Sequence, residues 1–209
     1  MAELVLPFVV RLERAAPPTR TDALEAAARG VLLMLTTDRP EWRAAIEAWD
    51  GSRIRKVVRR ARGAEWRRAL GVDGLDVTHG SAEVRVYPPI PVDEWPPELA
   101  RLQVGGTELA DPEPPSAPAP GTPLVLLSPH VTMTAGKAMA QAAHAAQLGF
   151  RSLPADRRAA WQVDGFPLAV RDATPSQWAE AISAGAPVVH DAGFTEVEPD
   201  SQTALFTRA

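Results

Sequence analysis

The chain has 209 residues, 45% of them apolar and 23% charged, with a net charge of -4; this is the balance of a folded chain, long enough for one large domain or two small ones. There is no cysteine, which excludes disulfides, thiolate metal sites and a cysteine nucleophile, and the four histidines (His79, His130, His144, His190) lack metal-ligand spacing. The apolar run from Leu4 to Val10 is broken by Pro7 and has neither a basic flank nor a small-residue cleavage site, so no signal peptide or membrane span is expected. A cytoplasmic setting without metal or cofactor fits best.

In chain order, periodicity predicts a strand over Leu4 to Leu12 and a helix over Thr21 to Leu35, then a second helix opened by a capping box at Asp38-x-x-Glu41. A strand at Ile54 to Val58, a helix at Ala64 to Leu70 and strands near Leu75 to Thr78 and Ala82 to Tyr87 follow. Between Arg53 and Arg68 eight basic residues face one acid, Glu65. Such a cluster is either a solvated face or a phosphate-binding surface. From Ala110 to Pro123 the sequence ADPEPPSAPAPGTP holds six prolines and no large apolar residue, the composition of an extended, semi-rigid spacer. The expected organisation is a domain over 1-109, a linker over 110-121 and a second domain over 122-209.

Beyond the linker the predicted order is a strand at Leu124 to Leu127, a helix from Gly136 to Phe150 and a short helix at Pro154 to Trp161. A strand at Phe166 to Arg171, a helix from Thr174-Pro175 to Ile182 and strands near Pro187 to His190 and Thr203 to Thr207 complete it. Both halves thus read as α/β/α sandwiches with a mixed sheet of about four strands. Trp49 and Trp66 stand as far apart as Trp161 and Trp178, each pair bracketing a strand and a helix start, and Leu4-Val5-Leu6 matches Leu124-Val125-Leu126. An internal duplication accounts for these coincidences. Aligned by the first helices, Thr21 falls opposite Lys137, Glu25 opposite Gln141 and Ala28 opposite His144, while Thr78-His79-Gly80 faces Asp191-Ala192-Gly193. The first half then reads as a catalytically silent copy.

Two segments carry chemistry. In AGKAMAQAAHAAQLGF, Lys137, Gln141 and His144 share one helix face; the stripe is either solvent-facing or functional. Lys137 opposes the positive end of the helix dipole, where a cation belongs if it joins free backbone N–H groups in holding an anion. The segment lacks the Gly-Lys-Ser/Thr of a nucleotide P-loop. The second segment, VVHDAGFTEVEPDSQT, leaves an apolar strand and turns at Asp191-Ala192-Gly193, a strand end where α/β folds place reactive groups.

Together, GKAMAQAAHAA (136-146) and DAGFTEVEPDSQT (191-203) resemble the type II peptidyl-tRNA hydrolase family. The resemblance extends from Leu124 to Thr207. It implies hydrolysis of the ester joining a peptide to the 3′ ribose of tRNA, with Lys137, Asp191 and Thr195 catalytic and Gly136, Gln141, His144, Ser201 and Thr203 lining the substrate site. Glu196 stands where the family has glutamine and Asp200 where it has glycine, and these carboxylates are expected to repel a phosphate-rich substrate. The second half carries six basic and eight acidic residues, so Arg59, Arg60 and Arg62 of the first half are expected to supply phosphate contacts. The expected partner is peptidyl-tRNA and no membrane, with the chain a monomer containing an internal pseudo-dimer, or a homodimer. The alternatives are a non-catalytic RNA-binding or protein-interaction module on the same fold, or a small-ester or amide hydrolase that does not use tRNA.

Overall fold

The computed structural model describes residues 2–207. The first half runs β1 (Leu4–Arg11), α1 (Arg20–Leu35), α2 (Pro40–Asp50), β2 (Arg55–Ala61), α3 (Gly63–Leu70), β3 (Leu75–His79) and β4 (Ala82–Val86), then a short β5 (Ile90–Pro91) and α4 (Pro97–Ala100). The second half runs β6 (Leu124–Leu127), α5 (Ala135–Ser152), α6 (Ala155–Val163), β7 (Ala169–Asp172), α7 (Pro175–Ser183), β8 (Val188–His190) and β9 (Gln202–Thr207). None of the helices formed by described residues is long and apolar enough to cross a membrane.

The two sheets share one plan. Strands are ordered β2-β1-β4-β3 in the first and β7-β6-β9-β8 in the second. In each the opening strand pairs in parallel on one side and antiparallel on the other, and the last two strands pair antiparallel. An internal duplication requires this agreement; different strand orders would have excluded it. Finer details agree as well. Trp49 donates through Nε1 to the Arg55 carbonyl at 2.9 Å, and Trp161 to the Pro167 carbonyl at 2.8 Å, each six residues ahead. Between donor and acceptor lies a residue in the left-handed region in both cases, Ile54 at φ 47° and Phe166 at φ 58°, uncommon for β-branched or bulky side chains.

This register shifts the alignment of the halves by one residue. Thr19 and Thr134 are the N-caps of α1 and α5, accepting from the N–H groups of Asp22 and Lys137, so Asp22 is the counterpart of Lys137, Ala26 of Gln141 and Arg29 of His144. The tryptophans place His79 opposite Asp191. The capping box expected at Asp38 does not form, because α2 begins at Pro40 after Arg39 without a side-chain cap. Proline at the first position has no N–H to satisfy. A capping box does form at Thr174 and Gln177.

Alternation along each central strand divides the packing. Leu6, Phe8 and Val10 of β1 and Val125 and Leu127 of β6 enter one apolar core that runs through both halves. Val9 faces a second core under α3 and α4 with Trp66, Tyr87 and Leu99. Leu126 faces a third under α7 with Trp178 and Leu205. At the centre α1 packs on α5, and both helices bury runs of alanine there, so the small side chains expected to bring α5 close to its sheet also bring it close to its sister helix. The proline-rich segment lies as a strap across this junction. Asp111 accepts from the Thr21 N–H and hydroxyl at 2.9 and 2.7 Å, and the Ser116 carbonyl accepts from Arg171 at 2.8 Å.

Candidate active site

Lys137 and Asp191 meet across the gap between the first turn of α5 and the end of β8. Lys137 Nζ donates to Asp191 Oδ2 at 2.7 Å and to Thr195 Oγ1 at 3.3 Å. Gln141, one turn along the helix, donates through Nε2 to the same Asp191 oxygen at 2.7 Å, and the Gly193 N–H donates to Oδ1 at 2.8 Å. Gln141 is held in turn by the Thr203 hydroxyl, which donates to Oε1 at 2.6 Å inside the protein. The Lys137 and Asp191 side chains are 9% and 10% exposed, so the pair is shielded on most sides and still reachable from one.

Two local features aim these groups. The β8–β9 pairing slips between Val189 and His190, and such a bulge turns the following residues relative to the ladder. It carries Thr203 inward to Gln141 and lets the chain leave the sheet at Asp191. The corresponding hairpin of the first half pairs regularly down to His79 and Ala82, with only Gly80 and Ser81 between. Gly193 then holds φ 75°, and a Cβ there would lie 2.6 Å from Pro199, so the turn that presents its N–H to Asp191 needs glycine.

Two of the helix N–H groups expected to hold an anion with Lys137 are occupied. Gly136 donates to Thr107 Oγ1 at 2.9 Å and Lys137 to Thr134 Oγ1 at 3.3 Å. The ammonium itself remains available: it has three donors and spends two on Asp191 and Thr195. The acidic loop is also less bare than its sequence. Both Glu196 oxygens accept from Thr134, one from its N–H and one from its hydroxyl, each at 2.9 Å. Asp200 Oδ1 pairs with His190 Nδ1 at 2.8 Å. Asp200 also takes φ 65°, which is why glycine suits that position.

No family model, curated protein or solved structure matches the chain.

The cluster forms the floor of a cavity of about 510 Å³ whose opposite wall comes from the first half, including Arg53, Ile54, Arg55 and Val104. Gly136 and His144 lie in the same cavity. Ser201 is held outside its lining, donating to the Glu198 carbonyl at 2.7 Å. Among the three arginines expected to contact phosphate, Arg59 donates to the carbonyls of Ala100 and Leu102 and stacks over Trp95, and Arg60 donates to the Gly105 carbonyl and to Gln103. Arg62 occupies the N-cap position of α3 without a side-chain cap, beside Glu13 at a separate depression. None of the three lines the cavity.

Lys56 is the surprise of this wall. It is 7% exposed, lies 4.8 Å from the centre of the Trp49 ring, donates to Gln147 Oε1 at 2.5 Å and stands 3.2 Å from His144 Nδ1. Burial, with Arg151 nearby, pushes its pKa well below the usual lysine value. Burial and the cations Lys56, Lys137 and Arg151 likewise hold His144 well below 6.5, so the imidazole is neutral at pH 7. The sequence carried one signal for Lys56: it shares the inward face of β2 with Val58. Thr107, far away in the chain, carried none.

The position in the first half that mirrors this site holds Asp22, Glu25 and His79, with ligand-type atoms within 4.8 Å of one another. Their needs are met from within the protein. Ser81 donates to Asp22 through its N–H and hydroxyl, His79 contacts Glu25 at 2.6 Å, and Arg171 and the Val170 N–H donate to Glu25 at 2.6 and 3.1 Å. Arg171 therefore balances the charge of Glu25.

Proposed function

We propose that the protein hydrolyses the ester between a peptide and the 3′ ribose of tRNA, releasing free tRNA. The observation that carries this reading is the meeting of Lys137, Asp191 and Thr195 within hydrogen-bond reach in a shielded cavity. These are the residues to which the resemblance in 136-146 and 191-203 assigns the chemistry.

Ester hydrolysis requires a placed water, a group that orients it or takes its proton, and positive charge where the oxyanion develops. Thr195, exposed at the cavity mouth, and the Asp191 carboxylate orient the water. Lys137, fixed by Asp191 and with a donor to spare, faces the developing oxyanion. Gln141 and Gly193 keep the carboxylate from rotating. The attack is by water, with no covalent enzyme intermediate.

The test is release of free tRNA from a peptidyl-tRNA compared with cleavage of a small activated ester. Lys137→Ala and Asp191→Asn are each expected to lower kcat/KM on peptidyl-tRNA by roughly 10²-fold or more with the fold intact by circular dichroism. Unchanged turnover in either variant defeats the mechanism. Activity on the small ester alone assigns the protein to a different class of hydrolase, and tRNA binding without turnover makes it a binding module.

A further inference from the structure

The wall facing Lys137 has a chemistry of its own. Arg53, exposed, and Arg55, half-buried, stand on the approach to β2 and at its first residue, and both line the cavity. On the other side of the mouth Phe194 is 58% exposed, an unusual setting for a large aromatic ring next to a polar site. The Arg55 guanidinium lies 5.1 Å from its ring centre, bridging the two halves of the molecule; its Nη1 also stands 3.4 Å from Glu3 Oε1 at the same mouth, a partly exposed pair that engages one of its five donors. Lys56, the third cation of this stretch, is committed to Gln147 and the Ile54 carbonyl and is not offered to a ligand.

Resting on the hydrolase reading above, we propose that Arg53, Arg55 and Phe194 form a subsite for the last nucleotides of a single-stranded RNA 3′ end. The Phe194 ring takes a base by stacking and the two arginines take backbone phosphate. Single-stranded RNA is recognised in this way, by cations that follow the backbone and aromatic or guanidinium planes that take unstacked bases. The subsite completes an otherwise acidic catalytic half: the second half bears more acids than bases, and the two mouth arginines come from the first. It sits on the same cavity as Lys137 and Asp191, so a nucleotide seated there brings its ribose ester toward them. The first half thereby contributes directly to substrate binding, through residues that do not include Arg59, Arg60 or Arg62.

The experiment measures binding of a 5′-labelled tetraribonucleotide with a free 3′ end to the full chain by fluorescence anisotropy at several salt concentrations. Phe194→Ala is expected to weaken binding roughly tenfold without changing the salt slope, and Phe194→Trp to restore it. The double variant Arg53→Ala/Arg55→Ala is expected to weaken binding at least tenfold and to flatten the salt slope by about one. Arg67→Ala/Arg68→Ala, an equal charge change on the exposed face of α3, serves as control and should stay within about twofold. Absence of binding by the wild-type chain, an unaffected Phe194→Ala, or a control as weak as the mouth double variant overturns the subsite. With peptidyl-tRNA, the mouth variants should raise KM with kcat within about threefold, in contrast to Lys137→Ala. A wild-type chain that binds the oligonucleotide with these dependences and hydrolyses nothing retains the subsite and loses the hydrolase reading. Hydrolysis with KM unmoved by the mouth variants does the reverse.

Discussion

A lysine in the first turn of a helix works against the macrodipole, and at Lys137 the carboxylate of Asp191 at 2.7 Å offsets that cost. The neighbouring buried His144 has no such partner. His144 faces Lys56 and feels Lys137 and Arg151, all cations, so its folded pKa is depressed while in the unfolded chain it titrates near 6.5. Between the two values the unfolded chain binds the additional proton, so stability is fully present above about pH 6.5 and falls as the pH drops through that point toward the folded value. Unfolding by urea at pH 7.5, 6.5 and 5.5 should show this decline, and His144→Gln should make it shallower. An identical decline in the variant would remove His144 as its source.

At the scale of elements, α5 can lie close to its sheet because Gly149 faces Phe206 of β9. A Cβ at Gly149 would overlap that ring. Gly149→Ala is therefore expected to destabilise the protein by about 1–3 kcal/mol through overpacking, although alanine is the better helix former; a stability equal to or above wild type in urea unfolding would show that the ring can yield. A Cβ at Gly30 of α1 would meet Phe8, Val77 and Val86 less tightly, at 3.4 to 3.7 Å, so the first half should tolerate the same change better. The contrast marks how two halves built on one plan differ in detail. The first closes its last hairpin with Gly80 and Ser81, whereas the second opens a loop from Asp191 to Ser201 that carries Gly193, Phe194, Thr195 and Glu196.

For the whole molecule, the central core joins residues of both halves, and polar contacts cross the same junction. Arg20 pairs with Asp172 at 2.9 Å, Arg151 with Asp50, and Glu25 with Arg171. Glu25 is 6% exposed. Its burial favours the neutral acid, but hydrogen bonds from His79, the Val170 N–H and Arg171 together outweigh that and hold it below its usual range. With one shared core, unfolding should be a single cooperative transition, with tryptophan fluorescence and far-ultraviolet circular dichroism tracing the same curve. Glu25→Ala, which leaves Arg171 without its carboxylate partner, should lower the midpoint for both probes together. Two separated transitions in the wild-type chain would show instead that the halves are independently stable.

Much of this was legible in one dimension. Strand and helix order, the proline-rich break, the tryptophan spacing and the face shared by Lys137, Gln141 and His144 are all local or periodic, because alternation and helical pitch are set by neighbours in the chain. The register between halves was off by one residue because N-cap geometry at Thr19 and Thr134, not apparent similarity, decides where each helix begins. Helix placement was readable from the same periodicity, but the use of α5 was not, since whether an alanine face meets a sheet or a sister helix depends on long-range packing. The basic stretch could be recognised as a cluster but not divided. Only the tertiary structure decided that Arg59 and Arg60 are tied to backbone carbonyls, that Lys56 is buried beside His144, and that Arg53 and Arg55 stand opposite Asp191. Those assignments turn on which distant carbonyl, ring or carboxylate each side chain reaches, and no pattern within the stretch itself encodes that.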